Sequence, residues 1–377
     1  MQTRSRKKLS TPKKILFSSI ITIFFSLIFI ILYCVSVATR CSQNFQVNRR
    51  WGESPYANNK EFGFFPRAGI LGWQELQHSE KIPVLYDESG FRIPQNPELS
   101  QTGKKPSILF LGCSFTHGYG LPAEKTFPYL SADKVGAYAM NAGQPAWGLA
   151  QILIFARKII PALKPDYVIL QYSPWLLNRS QKTYGSTNMG KTPVPFFYKK
   201  NNQLFTHSPV FESYNKKPFT PPDDGKQSFT SFFLESLPQY IHDDYWGLMT
   251  ELKRTLGIIP NPIKDRQFII NNVYGEISDI CNTHGSKLII LKLEKDFNRE
   301  HTEDDLSFLK CPIIDTYPAL VSKADIKSSE EWKKKYCFWR GSPPKIVDDH
   351  PNEKAHEIIA ELIASTISQQ EKDQTHK

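Results

Sequence analysis

The six cysteines include no C-x-x-C pair, which argues against a zinc site, because structural zinc takes its ligands in closely spaced pairs. No internal repeat and no low-complexity tract of consequence is present, so repeat arrays are set aside. The glycine-rich stretch from Gly112 to Gly120 lacks the Lys-Ser/Thr pair that a phosphate-binding loop needs. Charge of one sign is also scarcer than it looks. The formal net charge is +10, but Arg4, Arg6, Lys7, Lys8, Lys13 and Lys14 crowd the N-terminus, leaving 41 basic against 37 acidic residues elsewhere. So even a balance is no footprint for nucleic acid. No cofactor and no metal is implied.

What the chain does have begins with 24 residues, Ile15 to Ala38, free of charge, glycine and proline. As a helix they would extend roughly 36 Å, enough to cover a hydrocarbon core of about 30 Å, so a membrane-spanning segment is expected. Basic residues gather ahead of it more than behind it, where Arg40, Arg49 and Arg50 follow, so residues 1–14 are expected in the cytoplasm and the bulk of the chain outside it, periplasmic in a Gram-negative bacterium. The rival is a cleaved signal peptide, for which Ser36-Val37-Ala38 offers a small-x-small site. An exported location would permit a disulfide among Cys281, Cys311 and Cys337.

Beyond the span, residues 39–104 read as a stalk and an accessory hairpin, with Val84-Leu85-Tyr86 and Phe91-Arg92 joined through Gly90. From about 105 to 368 the pattern changes. Strand-length apolar runs at Ser107–Leu111, Ala137–Met140, Tyr167–Gln171, Lys287–Leu293 and Pro312–Asp315 alternate with segments of helical periodicity. That alternation predicts an α/β fold, a three-layer α/β/α sandwich around a mostly parallel five-stranded sheet. It is interrupted at 174–262 by a segment rich in proline and aromatics, among them Phe196, Phe197, Tyr198, Phe205, Phe211 and Phe219, with room for a hairpin and an amphipathic helix near Ser231–Leu256. Residues 369–377 are polar and expected to be disordered.

Ligands of open α/β sheets bind beyond the carboxyl ends of the strands, which draws attention to Gly112-Cys113-Ser114-Phe115-Thr116 after the first run. A serine hydroxyl needs a neighbouring base, itself held by a third group, to become a useful nucleophile. Asp348-Asp349-His350-Pro351 supplies both: Pro351 favours extended geometry before it, so Asp348 and His350 should face one side and Asp349 the other. Gly143, at the end of the second run, is a candidate backbone N–H donor, and Asn178, seven residues past the third, a candidate side-chain donor to an oxyanion. His117 is a candidate pocket residue, while His284 and His356 read as structural.

The runs ILFLGCSFTHGYGLPAEKTFPYL, MNAGQPAWGLAQ, PDYVILQYSPWLLN and DDHPNEKAH, in that order over residues 107–368, resemble the SGNH hydrolase, or GDSL-type, superfamily. The resemblance implies Ser114 as nucleophile, Asp348 and His350 as its partners, and an oxyanion hole from Ser114, Gly143 and Asn178. Cys113 stands where the family carries Asp, and the third block lacks the usual Gly-x-Asn-Asp form. The implied activity is that of a membrane-anchored extracytoplasmic serine esterase acting on an acylated small molecule, lipid or glycan. Transfer of the acyl group to an exported polysaccharide, with a membrane partner protein, is the alternative, and a non-catalytic binding module on the same fold a further one.

Overall fold

Residues 11–45, 49–51, 54–76, 80–100, 103, 105–187, 190–210 and 228–375 are described by the computed structural model. The first ten residues, with the basic cluster from Arg4 to Lys8, and Phe211 and Phe219 of the insertion lie outside them. All five apolar runs form strands. Nine strands share one sheet: β1 (Arg49–Trp51), β2 (Gly72–Leu76), β3 (Ile82–Tyr86), β4 (Arg92–Ile93), β5 (Ser107–Gly112), β6 (Tyr138–Gly143), β7 (Tyr167–Tyr172), β8 (Lys287–Lys292) and β9 (Ile313–Asp315). Their order is β1-β2-β3-β4-β6-β5-β7-β8-β9. The last five pair in parallel; the first four join antiparallel.

The expectation of a five-stranded sheet therefore holds for its parallel part and is corrected for the rest. The segment taken for a stalk and separate hairpin extends the sheet, because Arg92 of β4 registers with Asn141 of β6. Every residue of β5 and β7 is buried, as expected of strands covered on both faces by helices. Removing a buried side chain such as Leu109 or Ile169 would cost about 2–5 kcal/mol in transfer and cavity terms.

The helices are α1 (Thr11–Phe45), α2 (Ser114–His117), α3 (Phe127–Lys134), α4 (Leu149–Leu163), α5 (Pro174–Ser180), α6 (Phe229–Thr255), α7 (Arg266–His284), α8 (Tyr317–Ala324), α9 (Ser329–Tyr336) and α10 (Glu353–Thr375). Asn352 caps α10, its Oδ1 accepting the N–H of Ala355 at 3.2 Å, so Pro351 stands before the helix and not in its first turn. The helix continues past Ile367 to Thr375, with Gln369 bonded to Asp373 at 2.8 Å, which replaces most of the expected disordered tail by helix. Two hairpins, Tyr184–Thr187 with Gly190–Pro193 and Phe196–Lys200 with Gln203–His207, occupy the insertion ahead of α6.

By compactness, the described residues within 1–47 and 221–242 form one unit and the other described residues a second. In the first, α1 is the one helix among the described residues long and apolar enough to cross a membrane, and Phe45 packs its ring on Phe229 and Phe232. In the second lies the sheet with all the candidate site residues. Cys281, Cys311 and Cys337 are free thiols, so the permitted disulfide is not formed; burial pushes Cys281 and Cys337 up to about 12.

Candidate active site

In the 2-1-3-4-5 order of the parallel strands, connections leave β5 and β7 in opposite directions, and the crevice at such a switch point is where α/β folds bind ligands. Ser114 follows β5 by two residues, opening α2. The turn that exposes it depends on Gly112: a Cβ there would lie 2.0 Å from Thr116 Oγ1 and 2.4 Å from Gln171 Oε1. That space is needed because the Gln171 side chain, at the end of β7, accepts from the Cys113 N–H at 3.0 Å and the Thr116 hydroxyl at 2.8 Å. One glutamine thus ties two strand ends together under the serine.

Asp348 ends a short strand, Lys345–Asp348, paired with Phe338–Arg340. Its Oδ1 accepts the backbone N–H of His350 at 2.8 Å and the ring Nδ1–H at 2.6 Å. With Nδ1 protonated against a buried carboxylate, Nε2 is the free acceptor, and it lies 2.8 Å from Ser114 Oγ. The ring is fixed from both sides, with Tyr119 at 4.6 Å and Phe115 at 5.2 Å between centroids. Asp349 is exposed and its carboxylate stays 3.9 Å from Nδ1.

Three sequence candidates, Ser114, His350 and Asp348, are thus brought into one hydrogen-bonded line. The other two serve elsewhere in the resting structure. The Gly143 N–H donates to Asn141 Oδ1 at 3.0 Å, and the residue's lack of a side chain lets β6 abut α2, where a Cβ would come 2.3 Å from His117 N. Asn178, a full turn into α5, accepts from Arg266 Nη1 at 2.8 Å. Arg266 in turn pairs with the buried Asp304, which also accepts from the Tyr172 hydroxyl. Asn178 therefore belongs, through its side-chain oxygen, to a polar network joining α5 to α7.

His117 is wholly buried. Its Nε2 bonds the Tyr86 hydroxyl at 2.8 Å, and Tyr86 bonds Tyr56. Burial, then the charge of Arg92, holds its pKa well below the usual imidazole range. Arg92 is the residue that sequence reasoning passed over. A fully buried arginine is rare, and nothing in its local pattern sets it apart from an exposed hairpin residue. Trp175 was likewise passed over: its ring packs on Phe115 at 4.9 Å and its Nε1–H donates to Cys113 Sγ at 3.3 Å.

No protein-family model matches the chain, and no curated protein does. Solved structures similar to it include a psychrotrophic esterase from Pseudoalteromonas sp., 11% identical over 70% of this chain and 98% of that one with a TM-score of 0.35. A GDSL-like lipase from Bacteroides thetaiotaomicron is 10% identical over 70% of this chain and 88% of its own, TM-score 0.32. A two-domain esterase active on acetylated mannans is 12% identical over 72% of this chain and 51% of its own, TM-score 0.36.

Proposed function

We propose that the protein is an SGNH-type serine ester hydrolase, carried outside the cytoplasm on an N-terminal membrane helix, with Ser114, His350 and Asp348 as its triad. The observation that carries this reading is the unbroken line from Asp348 Oδ1 through the His350 ring to Ser114 Oγ, at 2.6 and 2.8 Å. Ser114 Oγ attacks the ester carbonyl as His350 Nε2 takes its proton; the tetrahedral intermediate collapses, the alkoxide leaves with that proton, and an acyl-enzyme remains. Water, deprotonated by the same nitrogen, then releases the acid and restores the serine. Asp348 keeps the ring in the required tautomer and stabilises the imidazolium as it forms.

Two cavities lie near the proposed triad, although neither Ser114 nor His350 lines them. The apolar slot beside Phe115, lined by Leu293, Trp332 and Pro351, holds about 10 Å³, room for at most one water and none for a long acyl chain. A groove of about 1010 Å³ runs past Gly120, Phe338, Arg340, Asn352 and Glu353, with charges of both signs on its walls. We take a short acyl group on a large polar molecule, such as a glycan, as the substrate class compatible with both cavities. Transfer to a second hydroxyl would use the same acyl-enzyme with a different acceptor.

The test is fluorophosphonate labelling of the full-length protein in detergent, with turnover measured on short- and long-chain nitrophenyl esters. Labelling that is lost in Ser114→Ala, and a rate that falls with chain length, are expected. A folded protein that neither labels nor turns over any ester would overturn the proposal.

A further inference from the structure

Asn178 accepts from Arg266 through its Oδ1 and the Gly143 N–H is bonded to Asn141, and a further side-chain donor stands close to the nucleophile. Trp175 sits in the first turn of α5, directly after Pro174, and its half-buried indole points Nε1–H at Cys113 Sγ, 3.3 Å away. That sulfur lies 3.9 Å from Ser114 Oγ. Thiol sulfur is a weak acceptor, whereas an anionic oxygen makes a bond to N–H roughly twice as strong as a neutral one does. The indole N–H is therefore weakly held at rest, on a sulfur that neighbours Ser114 Oγ. Gln171 Nε2 also reaches Cys113 Sγ at 3.3 Å, but it is shared with Ser173 Oγ at 2.9 Å and its oxygen is pinned by Cys113 N–H and Thr116.

We propose that the Trp175 indole N–H is the side-chain oxyanion donor of this site, moving from Cys113 Sγ to the substrate oxygen as Ser114 attacks. Cys113 is then the resting acceptor that keeps the donor aimed. A neutral thiol releases it, where a carboxylate at the same position would compete for it. The inference rests on the serine hydrolase reading, since the charge it meets is the one created by Ser114 Oγ.

Trp175→Phe keeps an aromatic ring next to Phe115 and removes the N–H together with part of the ring's volume. Loss of one such donor typically costs about 100- to 1,000-fold in turnover, so kcat should fall by that order with KM held and the thermal midpoint little changed. Unchanged kcat in the variant would overturn the proposal. A measurement on the unaltered full chain stands beside it: in protein labelled with ¹⁵N at indole nitrogens, the Trp175 N–H proton, assigned through its contact with Phe115, should move downfield when a phosphonate is bonded to Ser114 and its oxygen takes the carbonyl oxygen's place. An unmoved resonance on fully phosphonylated protein sinks the Trp175 assignment alone, whereas a protein that does not phosphonylate at all sinks the hydrolase reading with it.

Discussion

Arg92 Nη1 donates to the carbonyl of His117 at 2.6 Å, so a cation from the accessory hairpin grips the last residue of the helix that begins with Ser114. The same nitrogen reaches Gly118 O at 2.9 Å, and Nη2 reaches Leu121 O at 2.5 Å. A planar fork suits three carbonyls spread over five residues; an ammonium on a single stem does not. Arg92→Lys should therefore leave at least one buried carbonyl unsatisfied and lower stability by about 1–3 kcal/mol. Urea unfolding measures this, and an unchanged midpoint would show the grip to be dispensable.

Asp348→Asn preserves shape but offers an amide where the His350 Nδ1–H needs an acceptor of negative charge. By the logic of a wrongly set tautomer, kcat on a short-chain ester should fall by about 10⁴ while the fold is kept. A loss of less than tenfold would place the charge on the ring's other neighbours.

His356 is buried against Phe127 with Nδ1 accepting that residue's N–H at 2.9 Å. Burial first, then the charges of Arg92 and His350, holds its pKa down to about 3. An unfolded histidine titrates near about 6.5, so between those values the unfolded chain binds more protons and stability declines as pH falls. Unfolding free energy should drop through this window, with a shallower slope in His356→Phe. Equal slopes in the two proteins would remove His356 from the account.

Gly143→Ala places a methyl group 2.3 Å from His117 N and 2.6 Å from Thr116 C, both backbone atoms. Backbone cannot rotate aside, so α2 must shift. A stability loss of about 1–3 kcal/mol is expected from such overpacking, with turnover hit harder because the displaced helix carries Ser114, the proposed nucleophile. Thermal melts and kcat on one preparation separate the two effects.

The parallel strands were legible because β5, β7 and β8 are continuous apolar runs, which strands covered on both faces require. The line from Asp348 to Ser114 was legible for a local reason, the extended backbone before Pro351, together with its place relative to β5. Asn178 was not, since its direction depends on the phase of α5 and on Arg266, 88 residues away in sequence. Nor was the antiparallel half of the sheet. Strands such as β2 and β4 are short, and β2 alternates buried with half-buried residues, a pattern that leaves the partner open; the joint at Arg92 and Asn141 depends on tertiary fit. Composition rules place arginine at the surface, which hid Arg92 as the second point of support for the turn that carries Ser114.

Because β4 is stitched into the sheet beside β6 and its arginine clasps the stretch from His117 to Leu121, the sheet has no clean seam at residue 105. A protease nick or gene fusion that removed everything before β5 would retain Ser114, His350 and Asp348 and still unmoor the serine. A portable unit of this chain has to start upstream of the hairpin, so that the clasp travels with the turn it holds.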